Sequence, residues 1–197
     1  MKKGTLVGLG VLGLIAVLVM WAIGQYNNLV GLDQGVTSAW AQVENQYQRR
    51  ADLIPNLVNT VKGFAAQEQK VLTDVVEARA KATSIQVTKE VLEDPDAFAK
   101  FQSAQDQFSG ALSRLMAVAE NYPVLRSNEN FMSLQNELAG TENRIGVERK
   151  RYNEVVQNYN TTRNRFPGMI VANFANFKEK AYFKAKEGAD TPPEVKF

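Results

Sequence analysis

Residues 26–58 read YNNLVGLDQGVTSAWAQVENQYQRRADLIPNLV. Along them Tyr26, Leu29, Asp33, Val36, Trp40, Val43, Tyr47, Arg50, Ile54 and Leu57 recur at spacings of three and four. That spacing is one face of an amphipathic helix. The row continues through Val61, Phe64, Glu68, Leu72 and Val75, which predicts a single helix from Tyr26 to about Thr83. Pro55 stands inside it. A mid-helix proline removes one hydrogen bond and presses on the carbonyl four residues back, here that of Ala51. The periodicity keeps its phase across Pro55, so a bend is expected there and not an end.

Upstream, residues 4–24 carry no charge and are almost wholly apolar. A bilayer core about 30 Å thick needs about 20 helical residues at about 1.5 Å each. This run has that length, and only a helix satisfies its backbone without water. It is longer than the apolar region of a secretory signal, typically about 7–15 residues, so a retained anchor is expected. No cysteine follows it to carry a lipid. Trp21 and Tyr26 stand where an interfacial aromatic belt would lie. Lys2 and Lys3 precede the run, and no Lys or Arg follows it until Arg49. That bias predicts a cytoplasmic N-terminus and an extracytoplasmic body on a bacterial inner membrane.

Downstream, Ser84, Thr88 and Asp94-Pro95-Asp96 are turn and cap chemistry. A second helix is expected over 95–120 and a third over 128–165, capped by Ser127 or Asn128 and stopped by Phe166-Pro167-Gly168. A fourth is expected over 168–186. Strand signals are almost absent. The expected fold is all-α: an N-terminal transmembrane helix (1–24), an up-and-down four-helix bundle with a long first helix (25–187) and a tail (188–197). The third helix is shorter than the first. The stripe Leu29, Val36, Trp40 and Val43 is therefore expected to project beyond the bundle and to need a second copy or the bilayer surface to cover it. Gly4-x-x-x-Gly8 allows spans to approach closely, and Gly31-x-x-x-Gly35 repeats the spacing. Self-association through Gly4, Gly8, Leu29, Val36, Trp40 and Val43 is the expectation.

The chemical inventory is narrow. The chain of 197 residues has no His and no Cys. This excludes disulfides, thiolate zinc sites, Cys or Ser–His nucleophiles and His acid–base work. The 23 Lys and Arg include the two before the span, which leaves 21 against 21 Asp and Glu beyond it. A neutral body has no counterion-release drive toward nucleic acid. Glu137, Glu142, Glu148 and Glu154 recur on the third helix, but di-metal bundle sites add Glu-x-x-His motifs. These acids are better read as solvated faces and interhelical pairs with Arg49, Arg50, Arg144 and Arg149. A structural polar network is expected from Arg49, Glu137, Glu142, Asn143, Arg144, Tyr152 and Asn153. No catalytic residue, metal, cofactor or small-molecule substrate is expected.

Several stretches resemble the LemA family. They are Tyr26-Asn27-x-Leu29, Ala39-Trp40, and Arg49-Arg50-x-Asp52-Leu53-Ile54-Pro55-Asn56-Leu57-Val58. Glu129-Asn130-Phe131-x-x-Leu134-Gln135-x-Glu137-Leu138 and Thr141-Glu142-Asn143-Arg144-Ile145 follow. Arg151-Tyr152-Asn153, Tyr159-Asn160, Phe166-Pro167 and Tyr182-Phe183 complete the order. The resemblance covers nearly the whole chain. It implies a bacterial membrane protein with one N-terminal span, a helical bundle and no established catalytic residues. The expected function is a membrane-anchored, non-enzymatic scaffold that self-associates. The alternatives are an adaptor or sensor for another membrane protein, such as an envelope protease, and a binder or enzyme built from Glu, Arg and Tyr.

Overall fold

The computed structural model describes residues 3–185, with side chains from Gly8 onward. The regular elements are α1 (Lys3–Phe64), α2 (Gln69–Ser84), α3 (Lys89–Glu93), α4 (Pro95–Ala119), α5 (Pro123–Arg126), α6 (Glu129–Asn164) and α7 (Gly168–Phe174). Among the described residues there is no strand. Local chemistry explains several boundaries. Asp94 caps α4, its Oδ1 accepting from the N–H of Asp96 and Ala97, and Pro95 occupies the first turn. Asn128 Oδ1 accepts from Phe131 N–H at 3.1 Å and caps α6.

Pro55 lies inside α1 without ending it. The carbonyl that it leaves without an intrahelical donor is that of Ala51, and Arg79 Nε donates to that oxygen at 2.8 Å.

Two expected elements are corrected. The first helix does not reach Thr83. It stops at Phe64, turns through residues 65–68 and resumes as α2. The stripe should have passed through Phe64 and Glu68, yet Phe64 is 41% exposed while Ala65 is 1% exposed. Ala65 N–H bonds to the Val61 carbonyl and Glu68 N–H to the Ala65 carbonyl, closing the turn. Folding back lets Leu72, Val75 and Ala82 of α2 join Ile54, Leu57 and Val61 of α1 in one core. A continued helix would leave both rows facing water.

The expected fourth helix over 168–186 is also much shorter. It ends at Phe174 in a left-handed cap. Asn176 has φ 56°, Phe177 N–H reaches the Ala172 carbonyl and Asn176 N–H the Asn173 carbonyl. The described residues beyond Phe177 have no helix and are fastened by side-chain amides. Asn160 Nδ2 donates to the Lys180 carbonyl while its Oδ1 accepts from Lys180 N–H, both at 2.9 Å. Gln102 does the same for Lys184, at 2.7 and 3.1 Å. Each amide satisfies backbone groups that a helix would have satisfied internally.

The described chain forms two compact units, one of residues 3–50 with 140–180 and one of 51–139 with 181–185. The divisions fall inside α1 and α6. In the second unit the core takes Ile54, Leu57 and Val61 from α1, Leu72 and Val75 from α2, Phe108, Leu112 and Leu115 from α4, Leu125 from α5, and Phe131 and Leu138 from α6. Each such side chain contributes about 1.5–3 kcal/mol when fully buried. Phe183 packs on Phe98 with ring centroids 4.9 Å apart.

Candidate functional site

The unit that contains the apolar N-terminal stretch is built on α1 and α6. Gly35 faces Val155, Trp40 meets Tyr152 edge-on at 5.7 Å, Tyr47 pairs with Arg149, and Arg50 pairs with Glu142. Numbers rise on one helix as they fall on the other, so the two segments run antiparallel. The stripe read from the sequence faces α6. Leu29, Val36, Trp40 and Val43 are all buried within this chain. The expected projecting, uncovered stripe is thus corrected: the partner it needs is α6 and the segment after it, not a second copy. Gly35 likewise lies against Val155, while Gly31 is exposed with nothing within 4 Å of an added Cβ, so only one glycine of that spacing serves packing inside the chain.

Two charged clusters lock this interface. Arg50 is 1% exposed, and its Nη1 lies 2.7 Å from Glu142 Oε1. Its guanidinium and that of Arg149 both lie over the Tyr47 ring, at 5.2 and 5.6 Å, and Arg149 Nε donates to Tyr47 Oη at 2.6 Å. Farther toward the N-terminal stretch, Lys180 Nζ lies 2.7 Å from Asp33 Oδ1, with side chains only 2% and 12% exposed. The Lys180 ammonium also sits over the Tyr159 ring at 5.5 Å, and Tyr159 Oη donates to the Lys178 carbonyl. A buried ion pair is a costly way to gain stability but a sharp way to fix register, because a shifted pairing strands both charges.

The residues of the expected polar network fall in different settings. Glu142 takes part, but its cation is Arg50 and not Arg49, which is exposed. Arg50 lies on the stripe, and Arg49 lies one residue off it. Arg144 donates to Gln46 Oε1 at 3.3 Å and to Thr141 Oγ1 at 3.1 Å. Tyr152 is fully buried against Trp40, Asn153 is half-buried and Asn143 is exposed. Glu137 belongs to the other unit. The sequence reading missed Lys180, Asn160 and the Tyr47–Arg149 pair. One available signal was Asp33, an acid on an otherwise apolar face that required a buried cation.

Among the described residues, the following surfaces are open. Residues 8–20 of α1 are exposed throughout, and a Cβ added at Gly8, Gly10 or Gly13 would meet nothing within 4 Å. Gly4 lies in α1, but its surroundings fall outside the described side chains. This stretch makes α1 the one described helix long and apolar enough to cross a membrane. The second surface is α7 with Phe166. The third is a groove of about 370 Å³ in the second unit, lined by residues including Val58, Lys62, Leu72 and Val76. Among the described residues no group of three or more Asp or Glu is placed to hold a metal ion.

The sequence from residue 39 to 197 matches the sequence model of the LemA family. The chain belongs to the LemA family. Its relatives include magnetosome proteins MamQ 1 and MamQ 2 of Paramagnetospirillum magneticum, each 28% identical over 93% of this chain and 72% of the relative. Magnetosome protein MamQ of Magnetospirillum gryphiswaldense is 27% identical over 95% of this chain and 74% of its own length. Protein LemA of Metamycoplasma hominis is 22% identical over 84% and 71%. The LemA match includes Trp40, Tyr47, Arg50, Glu142, Tyr152 and Lys180, and so most of the α1–α6 lock.

Proposed function

We propose that this LemA-family chain is a membrane-anchored, non-enzymatic scaffold that self-associates through its span. The observation that carries the reading is the contrast along one unbroken helix. Residues 8–20 of α1 present apolar side chains and glycines to the outside, whereas Leu29 to Arg50 are packed into their own unit. An apolar helix of this length finds its solvent in lipid, and small residues let two such helices approach closely. The Gly4/Gly8 face is the proposed contact, and the buried stripe beyond residue 29 takes no part in it. The buried charged groups Arg50, Asp33 and Lys180, with the half-exposed Glu142, are committed to fixed pairs, as a structural role requires. The charge bias of Lys2 and Lys3 favours an N-terminus inside and a bundle outside on a bacterial inner membrane. Neither group of relatives carries a reaction in its name.

The adaptor reading draws on the groove lined by Val58, Lys62, Leu72 and Val76, an apolar cleft with a cation at its rim. The mass of the full chain purified in mild detergent separates the two. A defined homo-oligomer supports the scaffold. A monomer that co-purifies with another membrane protein supports the adaptor and overturns the scaffold.

A further inference from the structure

The short helix α7 is amphipathic in the reverse of the sense that water selects. It buries its small residues, Gly168 and Ala172, and exposes its large apolar ones. Met169 is 40% exposed, Ile170 58% and Phe174 94%, and Phe166 just before the helix is 73% exposed. Ile170 and Phe174, spaced by four, share one face of α7, and Phe166 stands in the turn just before it. Four large apolar side chains exposed within nine residues are a local concentration, not the scattered exposure ordinary on a soluble surface.

The position of the patch identifies what covers it. A Cβ at Gly168 would lie 3.4 Å from Gln25 Oε1, and the Phe177 ring meets Tyr26 at 5.7 Å. Gly168, which opens α7, and Phe177, three residues past its end, therefore lie beside the first residues after the apolar run of α1. Trp21, Ala22 and Gln25 are half-buried, whereas residues 8–20, including Ala16, are exposed. Cover on α1 thus begins at Trp21, inside the last turn of the apolar run. The patch is flanked by exposed cations at Arg165 and Lys178. Aromatic and aliphatic side chains bordered by Arg and Lys are the composition of a segment lying in the headgroup zone, where rings bury and cations reach phosphates.

We infer that residues 166–174 are a second membrane contact, seated in the interface of the leaflet where α1 emerges. This rests on reading residues 4–24 as a span. The segment then holds α1 at a fixed depth and orients the bundle on the surface, which one helix in lipid cannot do, since it rotates about its own axis.

The natural chain has no cysteine, so single cysteines report position directly. F174C, L14C and V147C of the full chain would be labelled with an environment-sensitive fluorophore. Each would be reconstituted into vesicles of phosphatidylcholine and phosphatidylglycerol carrying nitroxide lipids labelled near the headgroup or near the chain end. All three positions are exposed, so the fold tolerates the probes. The expected result is a blue-shifted F174C signal lost to the headgroup-proximal nitroxide, an L14C signal lost to the deep nitroxide, and a V147C signal quenched only by aqueous iodide. An F174C probe that behaves like V147C while L14C is quenched deeply overturns the α7 contact and leaves the span standing. An L14C probe untouched by either nitroxide overturns the span and this contact with it. A V147C probe quenched by lipid as strongly as F174C also overturns the inference, because the contact would not be particular to α7.

Discussion

Arg79 Nε donates to the carbonyl oxygen of Ala51 at 2.8 Å, and that oxygen is the one Pro55 deprives of its helical partner. Ala51 is buried, so its carbonyl has little access to water. A proline in the interior of a long helix is thus compensated from α2, within the same unit. Removing a hydrogen-bond partner from a buried group costs about 1–3 kcal/mol. Arg79→Met is expected to lower stability by about that amount. In a Pro55→Ala background, where residue 55 again offers an N–H, the same change should cost clearly less. Denaturant melts of the four proteins of this cycle measure the coupling.

The Asp33–Lys180 pair carries a prediction of opposite character. Lys180→Ala strands a buried carboxylate and should cost about 3–5 kcal/mol, as should Asp33→Ala for the ammonium. Replacing both at once, Asp33→Leu with Lys180→Met, should cost much less than the two single changes together. Thermal melts of the single and double variants decide it, and simple additivity would argue against a buried pair.

Neighbouring arginines should differ sharply. Arg50 is buried on Glu142 and over Tyr47, while Arg49 faces outward. Arg50→Gln is expected to destabilise by about 1–3 kcal/mol, since it removes a buried charged donor while Glu142, 37% exposed, keeps part of its hydration. Arg49→Gln should stay within about 0.5 kcal/mol, as surface changes usually do. Chemical denaturation with a far-ultraviolet signal compares them.

Trp40 tests where the stripe is satisfied. It is buried against Tyr152 within one chain. Trp40→Ala should lower stability by about 3–5 kcal/mol, the range for truncating a large buried aromatic. Particle size in detergent should not change, because Trp40 lies away from the proposed contact between copies. A change of size with an unchanged melt would restore the projecting-stripe expectation.

The legible parts of this fold are those with local chemistry. The Asp94-Pro95 cap, the Asn128 cap and the stop at Phe166-Pro167 each place a boundary by elementary rules, whereas the end of the apolar run at residue 24 marks none, since α1 continues through it. The turn at 65–68 was hidden because Ala65-Ala66-Gln67-Glu68 contains good helix formers and no breaker. It is selected by what α2 must pack against, namely Ile54, Leu57 and Val61. The segment after Phe174 misled for the same reason. Its Lys, Glu and Ala residues favour a helix, but the amides of Asn160 and Gln102 hold it in another conformation from positions 20 and 82 residues away in sequence. The stripe is legible from periodicity and its partner is not. Periodicity says that a face must be covered, and only the paired register of α1 and α6 says by what.

Copies are proposed to meet through the glycine face of the span and not through the stripe beyond it. Disulfide trapping in native membranes tests it most directly, since every cysteine must be introduced. Full-length G8C should form dimers within the membrane on mild oxidation, while V36C should stay monomeric because Val36 is 1% exposed inside its own chain. Efficient trapping at V36C with none at G8C would overturn the proposed contact.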